Sequence, residues 1–437
     1  MISSMRKRAR RGIDKARGRW RASRISSTTV RSAARRAGAS APGQSAGLGV
    51  HVLLAPPGDG NIGDQAMVEA FLERVDGPVV VVERNPGDID LPARADVERI
   101  SLPNLVFGAG PRRAADLATY SALLGRARSV SLIGADMLDG GYSAEGSVRR
   151  LLLAELAAVR GVPTRVLGFS WKPSPHPAAL RALVEASRAG VVPMLRDPHS
   201  HERVVAHGVS GAVLTADLVF GALTSDDSLV EGLRAAVGRP RYAVVNASSL
   251  VARRGGQVEE YAAVLRHLLG EGLGVVLLPH VLRGTSDDLA ACRAVAAVVP
   301  PDGVHLITER LAPAQVRGVA GAAEVVVTGR MHLAVMAAWG GVPPVTFATQ
   351  GKVSGLMESL GTPELCVDPG PGSGARVVEL LQAMPTSGAA QRISERLPVL
   401  RQRAALCTAG LQPNEEPAKP AGLVTGPSGA LGASSDQ

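Results

Sequence analysis

From about residue 50 the chain repeats one pattern: a short unbroken apolar run, then a longer stretch with helical spacing. His51-Val52-Leu53-Leu54-Ala55 and Pro78-Val79-Val80-Val81-Val82-Glu83 predict the first two strands. Ser129 to Gly134, Thr164 to Phe169 and Val191 to Arg196 predict three more. Between them, 65–75, 112–126, 148–160 and 177–188 predict helices. Strands that are apolar on every position, alternating with helices, signal a parallel sheet buried on both faces. A polar break at Thr224-Ser225-Asp226-Asp227-Ser228 interrupts the alternation, which then restarts. Tyr242 to Asn246, Gly274 to Pro279, Val304 to Thr308, Glu324 to Thr328 and Pro344 to Phe347 predict a second set of strands. The fold class expected is α/β, with two Rossmann-like domains facing a cleft. One spans 49–225 and the other 235–410, preceded by a head and linker over 1–48 and followed by a Pro/Gly/Ser-rich tail over 411–437 that is expected to be disordered.

Composition refines this picture. Of 437 residues, 46% are hydrophobic but only 3% aromatic, so the core is aliphatic. Few rings also argue against a stacking platform for single-stranded nucleic acid. The net charge of +9 sits in the head: residues 1–40 carry thirteen Lys or Arg and one acid, Asp14. That local +12 leaves −3 on the remainder. The head has no apolar core of a secretory signal. It suits a solvated arm, an organelle transit segment or a peripheral contact with anionic membrane, and specific nucleic-acid binding is not expected. No apolar run is long enough to span a membrane. Cys292, Cys366 and Cys407 are far apart and offer neither a disulfide framework nor a paired-cysteine metal motif. A cytoplasmic setting follows, at most peripheral at the membrane's inner face.

Two segments carry candidate chemistry. After the first strand comes Gly58-Asp59-Gly60-Asn61-Ile62-Gly63-Asp64, with Glu83 twenty residues beyond Gly63. This matches the dinucleotide fingerprint with its ribose acid. Against it, Asp64 puts a negative charge where a pyrophosphate would sit, and Asn61 suits sugar hydroxyls. A plain capped turn is a further reading. The second segment, Thr328-Gly329-Arg330-Met331-His332, places a permanent cation and an imidazole where an apolar strand hands over to an apolar helix. An Arg there can fork onto a carboxylate or phosphate, or simply form a surface ion pair. A His there can move a proton near neutral pH, or serve as a structural residue. His199 and His201 are too few for a metal site, and no metal is expected. Asp287 and Asp288 fit a helix start better than a pair of catalytic carboxylates.

Taken together, Gly60-Asn61-Ile62-Gly63-Asp64, Leu195-Arg196-Asp197-Pro198-His199-Ser200 and Thr328 to His332 with Lys352 to Gly361 resemble the polysaccharide pyruvyltransferase family. Ile133 to Asp136, and Pro279-His280 with Asp287 or Asp288, look like further family segments. The resemblance runs from about residue 50 to 362. It implies a glycosyltransferase-B-like arrangement, with the acceptor on the N-terminal domain and the donor on the C-terminal one. It also implies transfer of pyruvate from phosphoenolpyruvate to hydroxyls of a cell-envelope or exopolysaccharide sugar, or its lipid-linked precursor. The product is a pyruvate ketal with release of phosphate, and no cofactor is needed beyond phosphoenolpyruvate as co-substrate. On that basis Arg196 and Arg330 would clamp the donor with Lys352, and His332 would be the acid. Asp64 would be a base or hydroxyl ligand, and Asn61, Gly63 and His280 would line the acceptor side. The alternative is a nucleotide-sugar-dependent glycosyltransferase of the same architecture.

Overall fold

The computed structural model describes residues 49–252, 257–283, 287–348 and 351–411. The expectations for the basic head 1–48 and for the tail beyond Leu411 lie outside these residues. Strands β1 (Val50–Leu54), β2 (Val79–Glu83), β3 (Val97–Ser101), β4 (Ala127–Ile133), β5 (Thr164–Phe169), β6 (Val192–Leu195) and β7 (Val213–Leu214) form one sheet. Its order is β3-β2-β1-β4-β5-β6-β7. Strands β8 (Tyr242–Asn246), β9 (Gly274–Leu277), β10 (Val304–Leu306), β11 (Val326–Thr328), β12 (Pro344–Phe347) and β13 (Cys366–Val367) form a second, in the order β10-β9-β8-β11-β12-β13. Every pairing is parallel. Each half thus runs outward from its first strand in both directions, the doubly wound arrangement whose switch point lies beside that strand.

The valine-rich runs explain the central strands, since β1, β2, β8 and β11 are buried throughout. Three strands escape a search for apolar runs. β3 is the edge strand Val97-Glu98-Arg99-Ile100-Ser101, half exposed, so it needs no continuous apolar run. β7 and β13 are two residues long. Helices start where capping side chains stand: Asn61, Ser143 and Asp197 each accept a backbone N–H of the first turn.

The two halves share a core. Helix Ile62–Leu72 contributes Ile62, Met67 and Phe71 to an apolar cluster that continues into β8 and helix Met331–Trp339. Arg317, fully buried, ties the halves further: it pairs with Glu69, and its Nε donates to the Thr224 carbonyl at 2.6 Å. The closing helix Ala389–Ala405 returns to the N-terminal half, where Arg165 Nη1 donates to the carbonyls of Cys407 (3.1 Å) and Ala409 (2.9 Å). Among the described residues no helix is long and apolar enough to cross a membrane.

Candidate active site

The carboxyl ends of the central strands of both sheets converge on one cavity of ≈ 410 Å³. That volume lies in the range of small-molecule sites. The loop after β1 supplies Asn61 and the helix it opens supplies Asp64, the loop after β4 supplies Asp136, the loop after β9 supplies His280 and Arg283, and the turn after β11 supplies Arg330, with His332 in the helix that follows. Lys352 and Arg150 complete its charged lining. A larger cavity, ≈ 670 Å³, lies along the other face of helix Ile62–Leu72, where Glu69, Glu73 and Asp90 stand against Arg94 and Arg310. The smaller cavity sets Arg150, Arg283, Arg330 and Lys352 against Asp64 and Asp136, so the charge balance favours it for an anion and it is the candidate site.

His332 stands in the first turn of helix Met331–Trp339 and reaches across the cleft. Its Nε2 is 3.3 Å from Asp217 Oδ2 and 3.4 Å from Arg196 Nη1. Arg196 Nη1 donates to the same carboxylate oxygen at 2.8 Å, and its Nε donates to Ser170 Oγ at 2.9 Å. Ser170 in turn donates to Asp197 at 3.0 Å, the residue that caps helix Pro198–Ala206. Burial pushes the Asp217 carboxyl up, but the His332 and Arg196 charges beside it outweigh burial and hold it below the usual carboxylate range. Nδ1, the other ring nitrogen, lies against Gly63: a Cβ on Gly63 would stand 2.3 Å from it. Glycine at 63 is therefore a requirement of the imidazole and not of a phosphate.

Arg196, the expected second arm of a donor clamp, is not among the residues that line the cavity. Only 5% of it is exposed, and its guanidinium is spent on Asp217 and Ser170 behind His332. Arg330 does line the cavity, yet it too is partly committed. Nε and Nη2 fork onto Asp288 at 3.0 and 2.6 Å, and Nη2 also donates to Ser249 Oγ at 3.0 Å. Asp288, with no exposure, also accepts the backbone N–H groups of Ser249, His280 and Val281. Asp287 caps the helix that Asp288 begins, as the helix-start reading expects. Lys352 does not stand free either: it pairs across the cleft with Asp136, which also accepts the Tyr142 hydroxyl at 2.9 Å. Burial raises the Asp136 carboxyl, and the Lys352 charge more than reverses that. Ala135 holds a left-handed φ of 46°, a backbone strain that sits directly before this acid.

His280 is 1% exposed, and neither ring nitrogen has a hydrogen-bond partner among the described residues. Burial, then the charges of His332 and Arg330, press its pKa well below 6.5. A neutral imidazole with an open donor and an open acceptor suits a hydroxyl-bearing ligand. Asp64 is buried, with Oδ2 accepting the Gly58 N–H at 3.2 Å, and burial raises its pKa against the pull of His332 and Arg283. Asn61 spends its side-chain oxygen capping the helix on Gly63 N, and its backbone bridges Val281 of the opposite half.

The dinucleotide reading fails on geometry. Glu83 is buried and accepts from Gly87 N, Ile89 N and Ser101 Oγ, so it organises its own loop. A Cβ on Gly58 would stand 2.1 Å from the Asp88 carbonyl, and one on Gly60 2.4 Å from that of Leu282. The glycines let chain approach chain. His199 pairs with Glu358 at 2.8 Å, and among the described residues no group of three metal-ligating side chains occurs. Sequence reasoning missed Asp217, Arg150, Arg283, Phe107 and Tyr142. An acid isolated in the apolar stretch Ala216-Asp217-Leu218-Val219-Phe220 was the one available signal among them.

Paired doubly wound sheets closing on a polar cleft define a glycosyltransferase-B-like α/β protein. Solved structures share this fold: a putative UDP-N-acetylglucosamine 2-epimerase from Listeria monocytogenes (TM-score 0.55, 12% identity, covering 82% of this chain and 94% of that one). A UDP-GlcNAc 2-epimerase from Neisseria meningitidis, solved with UDP-GlcNAc, gives 0.52 at 11% identity, over 82% and 97%. An Anabaena protein solved with UDP and glucose gives 0.53 at 15%, over 82% and 97%. No curated protein matches the sequence significantly. The family model for polysaccharide pyruvyl transferase matches residues 61–351, and the chain belongs to that family.

Proposed function

We propose that this protein transfers pyruvate from phosphoenolpyruvate to hydroxyls of an envelope or exopolysaccharide sugar, or its lipid-linked precursor. The observation that carries this reading is a carboxylate-backed histidine, His332 on Asp217, opening onto a cavity lined by Arg330, Arg283 and Lys352. Phosphoenolpyruvate is compact and densely anionic, so it calls for several cations in one small space. Arg330 Nη1, not engaged by Asp288, meets the carboxylate. Lys352 exchanges Asp136 for the phosphate.

His332 protonates the enol methylene carbon, which becomes the methyl group, and the neighbouring carbon turns electrophilic. A sugar hydroxyl forms the first C–O bond while Asp64 takes its proton; the pKa raised by burial makes that carboxylate a stronger base than a solvated one. The bond to the phosphate oxygen breaks, and a second hydroxyl closes the ketal. Of the two hydroxyl protons, one replaces that given up by His332 and one leaves with phosphate. Neutral His280 orients the attacking diol. No cofactor enters the scheme. Binding of the basic head to anionic membrane is a separate proposal, resting on charge alone. A phosphate-release screen with phosphoenolpyruvate against glycans and lipid-linked sugars tests the reading. Release only with an acceptor present supports it; consumption of a UDP- or GDP-sugar without phosphoenolpyruvate refutes it.

A further inference from the structure

Two exposed aromatic rings mark one wall of the cavity. In a chain with 3% aromatics, Phe107 is 46% exposed and Tyr142 64% exposed, and both line the cavity mouth on the N-terminal half. Leaving rings in water forgoes the gain of burying them, and sugars present C–H faces that cover such rings. Beside them stands Arg150. It is 8% exposed and lines the cavity, and among the described residues no carboxylate or carbonyl accepts from its guanidinium. Burial, with Arg84 nearby, pushes its pKa down to about 10 even though Asp64 pulls it up. Arg150 and Arg84 both lie on Phe107, at 5.2 and 5.3 Å from the ring centroid. A side crevice of ≈ 50 Å³ lined by Arg84, Phe107 and Arg150 adjoins them.

A nearly buried guanidinium that feels the Asp64 charge but bonds no carboxylate directly is costly unless a ligand supplies the anion. The donor's cations stand on the opposite wall. We infer that the acceptor is itself an anionic sugar, its ring against Phe107 and Tyr142 and its phosphate or carboxylate on Arg150 and Arg84. The inference rests on the pyruvyl-transfer reading for the word acceptor, and it places the reacting hydroxyl at Asp64, whose charge Arg150 feels.

Titration calorimetry on the full chain tests it. The probes are glucose, galactose and mannose 1-phosphates, the three free hexoses, glucuronate, inorganic phosphate and, separately, phosphoenolpyruvate. The expected result is an anionic sugar bound at least tenfold more tightly than its neutral counterpart. Arg150→Gln should erase that preference. Phe107→Ala, at a half-exposed ring, should weaken the anionic sugar at least tenfold and inorganic phosphate by a smaller factor, through the loss of the ring on which Arg150 and Arg84 lie. Hexose phosphate above glucuronate assigns a phosphate; the reverse assigns a carboxylate; both uphold the subsite. Equal binding of anionic and neutral sugars, or no sugar binding at all, overturns it. So does Arg150→Gln weakening phosphoenolpyruvate while sparing the hexose phosphates. If anionic sugars bind and respond to both variants but phosphoenolpyruvate does not bind wild type, the subsite stands and pyruvyl transfer falls.

Discussion

Replacing Asp217 with Asn tests the arrangement around His332 most sharply. The side chain keeps its shape and loses its charge, 3.3 Å from His332 Nε2 and 2.8 Å from Arg196 Nη1. At an effective dielectric constant of about 20, two unit charges 3.3 Å apart attract by about 5 kcal/mol. Both partners are largely buried, with side-chain exposures of 13% and 2%, so little of this is screened. Relaxation of Arg196 returns part of it. At about 1.4 kcal/mol per decade, kcat near pH 7 should fall about 10²- to 10³-fold. The variant also leaves Arg196 buried without its acid, a cost of about 3 kcal/mol. Wild-type Asp217 has a depressed folded pKa, so its contribution to stability is complete above about pH 4 and is lost as pH falls through the folded value. The assay is kcat near pH 7 beside thermal melts across pH. A kcat within threefold of wild type in a folded variant would refute the role given to Asp217.

Three further outcomes follow from the same geometry. Asp64→Asn should lower kcat by about 10²-fold or more; because the folded Asp64 pKa is raised, its contribution to stability is full below about pH 4 and declines as pH rises through the folded value, so the variant should melt higher than wild type at pH 7 to 8 and alike near pH 4. Gly63→Ala should displace the imidazole, costing about 1–3 kcal/mol of stability and at least about tenfold in kcat; a crystal structure with His332 unmoved would contradict the packing described. Arg317→Met should destabilise by about 3 kcal/mol in chemical denaturation, since it strands Glu69 at the contact between halves.

Much of the fold was legible because its central strands are unbroken valine and leucine runs, a signal that needs no distant partner. β3 was not, because an edge strand with Glu98 and Arg99 in water carries no such run. The site divided along the same line. Arg330 and His332 stood out as polar residues inside an apolar segment, and Asp64 as an acid at a helix start. What each of them touches was hidden. Asp288 lies 42 positions before Arg330, and the strand order of the second sheet brings them together; Asp217 lies 115 before His332, and only the convergence of the two sheets joins that pair. Arg196 illustrates the cost. Its residue type and strand-end position fit an anion clamp, yet the acid that claims it arrives 21 residues later, after β7.

The measurement that bears most directly on pyruvyl transfer is an NMR-monitored reaction in D₂O with phosphoenolpyruvate and a glycan acceptor. Wild type should release phosphate in step with a sugar-borne pyruvate ketal whose methyl group carries a solvent deuteron, and His332→Gln should abolish both signals together. Phosphate release without a ketal, or acceptor modification that proceeds without phosphoenolpyruvate, would contradict the account.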